Sequence, residues 1–409
     1  HAGSGQARST SPSWPSARRS RCSGSLFSIR ASGYLLGATV GGRVLDRSPN
    51  PARLLLVSTG CSAFSTALLP QLRSVVLVNA SLLCQGGVMG LLDTGGNVLM
   101  LTVWRGSRHV NAAVHGFHFL FGLGAFLAPV FVSTCLRFGL EAMQAWVVAG
   151  LSFVPACLGL MLLVLQPQPK TGSQAGADSP LGSIVLITGA FLFAYVGLEV
   201  AFGGYIDAFA VRHLQVSPLA GASLTSVYWG ALCISRLAAT LLTPYVNHLR
   251  YIQLHLLLAC VSMAAFGVVS WSQPVDSTPL AQSVILFTFL YGFALGPLFP
   301  GALLVAEEKL AVTKETLDGR AAGFTVACAA LGEMCLPLLT GFFFAQEATS
   351  FAPVQLVVCC LAGIIFALGS LVTVNATTAW LSGELPLSDC LWFVVACCCC
   401  CVFACACVL

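Results

Sequence analysis

Charged side chains are scarce: Asp, Glu, Lys and Arg make up 8% of the 409 residues, against about 25% in an average soluble domain. With 57% of residues in the hydrophobic set, the chain cannot cover a water-facing surface, which excludes a soluble globular fold. Strong charge of one sign is missing too. Nineteen basic against fifteen acidic residues leave a net charge of +4, a field too weak to make nucleic acid a partner. The seven histidines are too scattered for a membrane enzyme. No enzyme activity and no resident cofactor are expected. The nineteen cysteines lie almost all inside apolar runs, where a thiol packs as a small apolar group, so a disulfide scaffold is not expected. Their crowding at Cys390, Cys397 to Cys401, Cys405 and Cys407 lacks the His or spaced pair of a zinc site.

What is present is a series of long apolar runs. A helix crossing the bilayer needs roughly 20 mostly apolar residues. Such segments lie near 26–42, 54–70, 75–103, 112–136, 143–165, 182–211, 217–242, 252–270, 281–305, 321–345 and 353–375, with a further apolar stretch at 390–409. The lipid bilayer is therefore the first partner. Lys and Arg are retained on the cytoplasmic side. One set of loops holds Arg43, Arg47, Arg53, Arg105, Arg108, Lys170, Arg250, Lys309, Lys314 and Arg320, the other only Arg73, Arg137 and Arg212; the first set is cytoplasmic. Arg8, Arg18, Arg19 and Arg21 would then face outward, and the simplest account is a further span missing before residue 26.

The expected organisation is an N-terminal segment at 1–25, disordered or aberrant, then a helical bundle of about five spans at 26–165. A cytoplasmic linker follows at 166–181, rich in Pro, Gly, Ser and Gln, then a six-helix bundle at 182–375 and a Cys-rich tail at 376–409, whose apolar end offers an extra span. Restoring the missing helix gives two six-helix bundles, the all-α architecture of the major facilitator fold, with substrate held at the midplane between the halves.

The loop Gly41-Gly42-Arg43-Val44-Leu45-Asp46-Arg47 resembles that superfamily's Gly-x-x-x-Asp-Arg signature. The resemblance implies that Asp46 and Arg47 clasp helix ends and help set the inward or outward state. The runs Gly90-Leu91-Leu92-Asp93-Thr94-Gly95-Gly96-Asn97, His118-Phe119-Leu120-Phe121-Gly122, Tyr195-Val196-Gly197-Leu198-Glu199 and Gly332-Glu333-Met334, with Trp229-Gly230 leading to Arg236, resemble the sodium-dependent glucose transporter branch, related to fucose permeases. That resemblance implies sodium-driven uptake of a sugar across the plasma membrane by alternating access. Proton coupling, and a non-transporting or inactive membrane protein, stay open as alternatives.

Ionisable groups inside apolar helices cost about 2.5–3.5 kcal/mol each on the insertion scale and mark functional sites by default. Asp93, Glu199, Arg236 and Glu333 lie well inside; Arg30, Asp207 and Arg212 lie nearer segment ends, where snorkelling explains them. Asp93 and Asn97, four apart, share a helix face and can aim oxygens at one point, which suits a monovalent cation such as sodium. Gly95 and Gly96 could let the helix unwind there and free carbonyls. A structural role for Asp93 is the competing reading. Glu199 stands as a cation or substrate contact, or as a hydrogen-bonded core acid. Glu333 is read as structural or gating, pairing with Arg236. Sugar recognition needs flat apolar faces and fixed polar groups; Gln85, His118, Tyr195, Trp229 and Arg236 are the candidates, with His115 on the face of His118.

Overall fold

The computed structural model describes residues 16–138, 142–151, 154–165, 181–271, 278–312 and 315–372. All regular structure among them is helical. The helices are α1 (Ser16–Arg47), α2 (Pro51–Leu68), α3 (Val75–Trp104), α4 (Val110–Arg137), α5 (Ala142–Leu151), α6 (Val154–Val164), α7 (Ser183–Arg212), α8 (Pro218–Leu242), α9 (His248–Trp271), α10 (Thr278–Leu295), α11 (Leu298–Val312), α12 (Gly319–Gln346) and α13 (Phe351–Val372). Among the described residues, eight helical stretches are long and apolar enough to cross a membrane. Large apolar side chains remain on the outside, Phe64 at 69% exposure, Leu120 at 64% and Phe342 at 61%, as lipid-facing surfaces require. The chain is a multi-pass, all-helical membrane protein.

Three local departures have clear causes. Helix α1 starts at Ser16, so residues 16–25, expected to lie outside regular structure, form its first turns; no proline follows Pro15 to stop them. The segment 281–305 divides into α10 and α11 at Gly296 and Pro297, because proline has no N–H to continue the ladder. Helix α3 runs unbroken through Gly95 and Gly96, which pack against Leu55 and Phe117 instead of unwinding. The expected linker at 166–181, apart from residue 181, and the expected tail at 376–409 fall outside the described residues.

Small residues fix how closely the helices approach. Helices α1 and α3 run parallel and touch through Gly33, Gly37, Gly86 and Gly90, where an added Cβ would lie 1.8–2.2 Å from a backbone oxygen of the partner helix. Helices α7 and α12 meet in the same way at Gly197 and Gly332. Two seams join the halves, α1 with α12 and α4 with α8. Along the first, Gly42 lies on Gly319 and Ala38 on Gly323, an antiparallel register continued by Tyr34 and Leu35 against Val326 and Ala327.

Candidate functional site

The break at Gly296 and Pro297 builds half of the site. A continuous helix would occupy the carbonyls of its last turn with N–H groups, but α10 ends there and its carbonyls turn to side chains. His255 Nδ1 reaches the Ala294 carbonyl at 3.1 Å, the Tyr195 hydroxyl reaches that of Leu295 at 3.0 Å, and Arg236 Nε donates to that of Gly296 at 3.1 Å. Arg236 Nη2 also pairs with Glu199 Oε1 at 3.4 Å. The Glu199 carboxylate is closed on its other side by the Tyr195 hydroxyl, and the Tyr228 hydroxyl donates to the Glu199 backbone oxygen at 3.0 Å. Both charged groups are buried. The first half touches this network at Gly122 of α4, where an added Cβ would lie 3.3 Å from Arg236 Nη1.

A second network occupies the first half. Tyr34 on α1 donates its hydroxyl to Asp93 on α3. Asn97 Nδ2 donates to Asp93 Oδ1 at 3.0 Å and to the Asp93 carbonyl at 2.9 Å, and His118 Nε2 lies 2.9 Å from Asn97 Oδ1. Asp93 and Asn97 do share one face. Their oxygens do not converge as expected, because the amide turns its donor toward the carboxylate and its oxygen toward the imidazole. His118 packs in turn against Phe299 of α11, ring centroids 4.9 Å apart.

Glu333 corrects a second expectation. Arg236 is taken by Glu199, and Glu333 is exposed although it sits midway along α12. It lies within electrostatic range of Glu199, Arg30 and Asp93, so charged groups of four helices, α1, α3, α7 and α12, come near one another. Pro337, four residues on, removes the N–H that an α-helix would offer to the Glu333 carbonyl.

Other expected contacts lie elsewhere. Gln85 donates to Thr66 Oγ1 at 2.9 Å, inside the first bundle. Trp229 covers Gly203 and packs edge-on against Tyr228, centroids 5.1 Å apart. His115 is buried against His248, ring centroids 5.7 Å apart. Arg212 lies over the Phe344 ring at 4.9 Å, in keeping with an interfacial role. Tyr34 was not anticipated; its spacing of four from Arg30 and Ala38 was the available signal.

The end of the bundle that carries Asp46 is held by charge. Asp46 accepts from the N–H groups of Gly319 at 2.7 Å and Arg320 at 2.8 Å, capping α12 from the other half. Arg47 is exposed at the end of α1. Arg105, just past α3, pairs with Glu307 of α11 at 2.8 Å, and Glu307 Oε2 accepts from the Leu317 N–H at 2.6 Å. The latter two contacts were not foreseen.

Comparison with known proteins agrees with this architecture. The chain is 27% identical over 353 residues to sodium-dependent glucose transporter 1 of Xenopus laevis, covering 78% of this chain and 67% of that protein. It is 28% identical over 356 residues to the Homo sapiens protein of the same name, covering 77% and 65%; the chain thus spans about two thirds of these relatives. The crystal structure of the E. coli fucose:proton symporter shares the fold with a TM-score of 0.69 at 14% identity, over 87% of this chain and 92% of that one. The family model of the Major Facilitator Superfamily matches residues 10–337, and the chain belongs to that superfamily of transporters.

Proposed function

We propose that the chain is a secondary active transporter that carries a sugar, glucose the leading candidate, across the plasma membrane in symport with sodium. The observation that carries this reading is the charge balance between the halves. Glu199 and Arg236 neutralise each other, and among the charges that act on Glu333 only Arg30 is positive, beside Asp93 and Glu199, so the five groups carry one negative charge in excess when all are ionised. That excess suits a single monovalent cation. Asp93 with the Tyr34 hydroxyl, and Glu333 with its freed carbonyl, are hard oxygen donors of the kind such a cation takes. The names of the relatives, sodium-dependent glucose transporters, support the same cargo and ion.

The cytoplasmic clasp by Asp46 and Arg105 seals one face, and alternating access requires such a seal on each face in turn. If sodium stabilises the sugar-competent state, each ligand must raise the other's affinity by the same factor. Uptake of labelled sugars into proteoliposomes, with sodium replaced by choline and with a proton gradient imposed separately, tests the proposal. Glucose uptake that needs sodium supports it. Uptake that follows the proton gradient and ignores sodium replaces the ion; no uptake of any sugar removes the cargo.

A further inference from the structure

We propose that His115 on α4 and His248 on α9 form a binding site for a late first-row divalent metal ion such as zinc, apart from the Asp93 and Glu333 carboxylates. The two histidines lie far apart in the sequence. The fold sets them against each other, ring centroids 5.7 Å apart and ring planes at 62°. His115 is 0% exposed and His248 5%. Among the described residues, three of their four ring nitrogens are buried without a hydrogen-bond partner, Nδ1 and Nε2 of His115 and Nδ1 of His248. Buried polar groups are nearly always paired, so three orphans at one contact point to a ligand that takes lone pairs.

The fourth nitrogen sets the chemistry. His248 Nε2 lies 3.3 Å from the Gly301 carbonyl oxygen of α11. That oxygen only accepts, so Nε2 carries the proton and Nδ1 is left with a bare lone pair. A metal-bound histidine is held in the same way, its second ring N–H given to a backbone carbonyl. His115, with neither nitrogen committed, can offer either one. Zinc sits about 2.0–2.1 Å from an imidazole nitrogen and thus roughly 3.2 Å from the ring centre. Two centres 5.7 Å apart are within reach of one shared ion once the rings turn toward it. Imidazole ligands without a carboxylate favour zinc, nickel or copper over magnesium or calcium. Among the described residues no group of three or more His, Cys, Asp or Glu side chains could hold a metal, so water fills the remaining positions and binding is weaker than at a closed four-ligand site. Arg236, whose charge reaches His115, is neutralised by Glu199. Since both rings are buried, the ion enters only as α4 and α9 part, and once bound it ties them together.

Zinc binding to the full-length chain in detergent, its accessible thiols first alkylated so that cysteines do not compete, is measured by competition with a chelating dye. Magnesium, which takes oxygen ligands, is the control ion. His115→Phe and His248→Phe should each remove one ligand and weaken zinc at least about 10-fold, as loss of even an outer-shell partner does. His115→Gln and His248→Gln, which keep a polar side chain without the imidazole, carry the test if the Phe variants do not fold. His255→Gln should leave the affinity unchanged, because His255 Nδ1 is already taken by the Ala294 carbonyl. Zinc should also raise the thermal midpoint of the unsubstituted chain and not that of the His115 and His248 variants. Equal affinity in all variants means an adventitious ion only and overturns the proposal, as does the absence of zinc binding. Neither readout needs sugar or sodium, so the metal site and the transport reading stand or fall separately.

Discussion

Asp46 of α1 bonds the Gly319 N–H of α12 at 2.7 Å, so a helix of one half is capped by a carboxylate of the other. The macrodipole places partial positive charge at that N-terminus, and an anion there is favoured. Removing a capping side chain costs about 0.5–2 kcal/mol. Since the cap exists only while the seam between α1 and α12 is closed, Asp46→Ala should shift the closed-to-open ratio by roughly 2- to 30-fold toward open. Pulsed spin-label distances between Val44 and Val312, both exposed, report the shift. An unchanged distance distribution would mean that Gly42 and Gly319 hold the seam without the cap.

The same group makes the seam sensitive to pH. Burial at the seam pushes the Asp46 carboxyl up from 3.8 to about 6, the neighbouring Asp318 adding to the rise while the Gly319 and Arg320 N–H groups oppose it. The closed state therefore binds the proton more tightly than a state with Asp46 in water. Above about pH 6 the cost of the buried charge is fully present; it is relieved as pH falls through 6 toward 4. Lowering the pH at this end from 7 to 5 should shorten the spin-label distances, and Asp46→Asn should remove that response while keeping an acceptor for one N–H.

How far such a site is legible in the sequence differs from element to element. The spans were readable because a bilayer imposes about 20 apolar residues on each, and Asp93 with Asn97 because four residues bring side chains to one face. The division at Gly296 and Pro297 was visible as a breaker pair, yet hydropathy averaged over about 19 residues erases it. With it went the carbonyls that hold Tyr195 and Arg236. Partner choice was out of reach for a different reason. Whether Arg236 takes Glu199 or Glu333 depends on how α7, α8 and α12 pack, a long-range outcome that no spacing along the chain encodes.

The Glu199–Arg236 pair is buried on both sides, with side-chain exposures of 12% and 6%. Deleting one partner of such a pair strands the other charge and costs about 3–5 kcal/mol, whereas an apolar replacement of both is often neutral. Glu199→Ala and Arg236→Ala should each lower the thermal midpoint in detergent by several degrees. Glu199→Leu with Arg236→Met should return it to near the starting value. If the double variant is as unstable as the single ones, the bonds that Glu199 makes to the Tyr195 hydroxyl and Arg236 to the Gly296 carbonyl, not the ion pair, carry the stability.

Tyr34 offers the sharpest separation of ion from sugar. Its hydroxyl donates to Asp93, and Asn97 supplies the other side-chain donor, so a cation arriving at Asp93 must compete with both. A hydroxyl can rotate and present its oxygen to the ion, whereas an amide N–H cannot. Tyr34→Phe removes that adaptable oxygen and leaves the ring packed beside Ala38. Under the proposed symport, the sodium half-saturation of glucose uptake should rise about 5- to 10-fold, the loss of one neutral hydrogen-bonding group, with the glucose half-saturation in saturating sodium nearly unchanged. Asp93→Asn should abolish the sodium dependence itself. Were Tyr34→Phe to shift glucose and leave sodium alone, the hydroxyl would be a sugar contact, and the cation would have to be held by Glu333 and its carbonyl without Asp93.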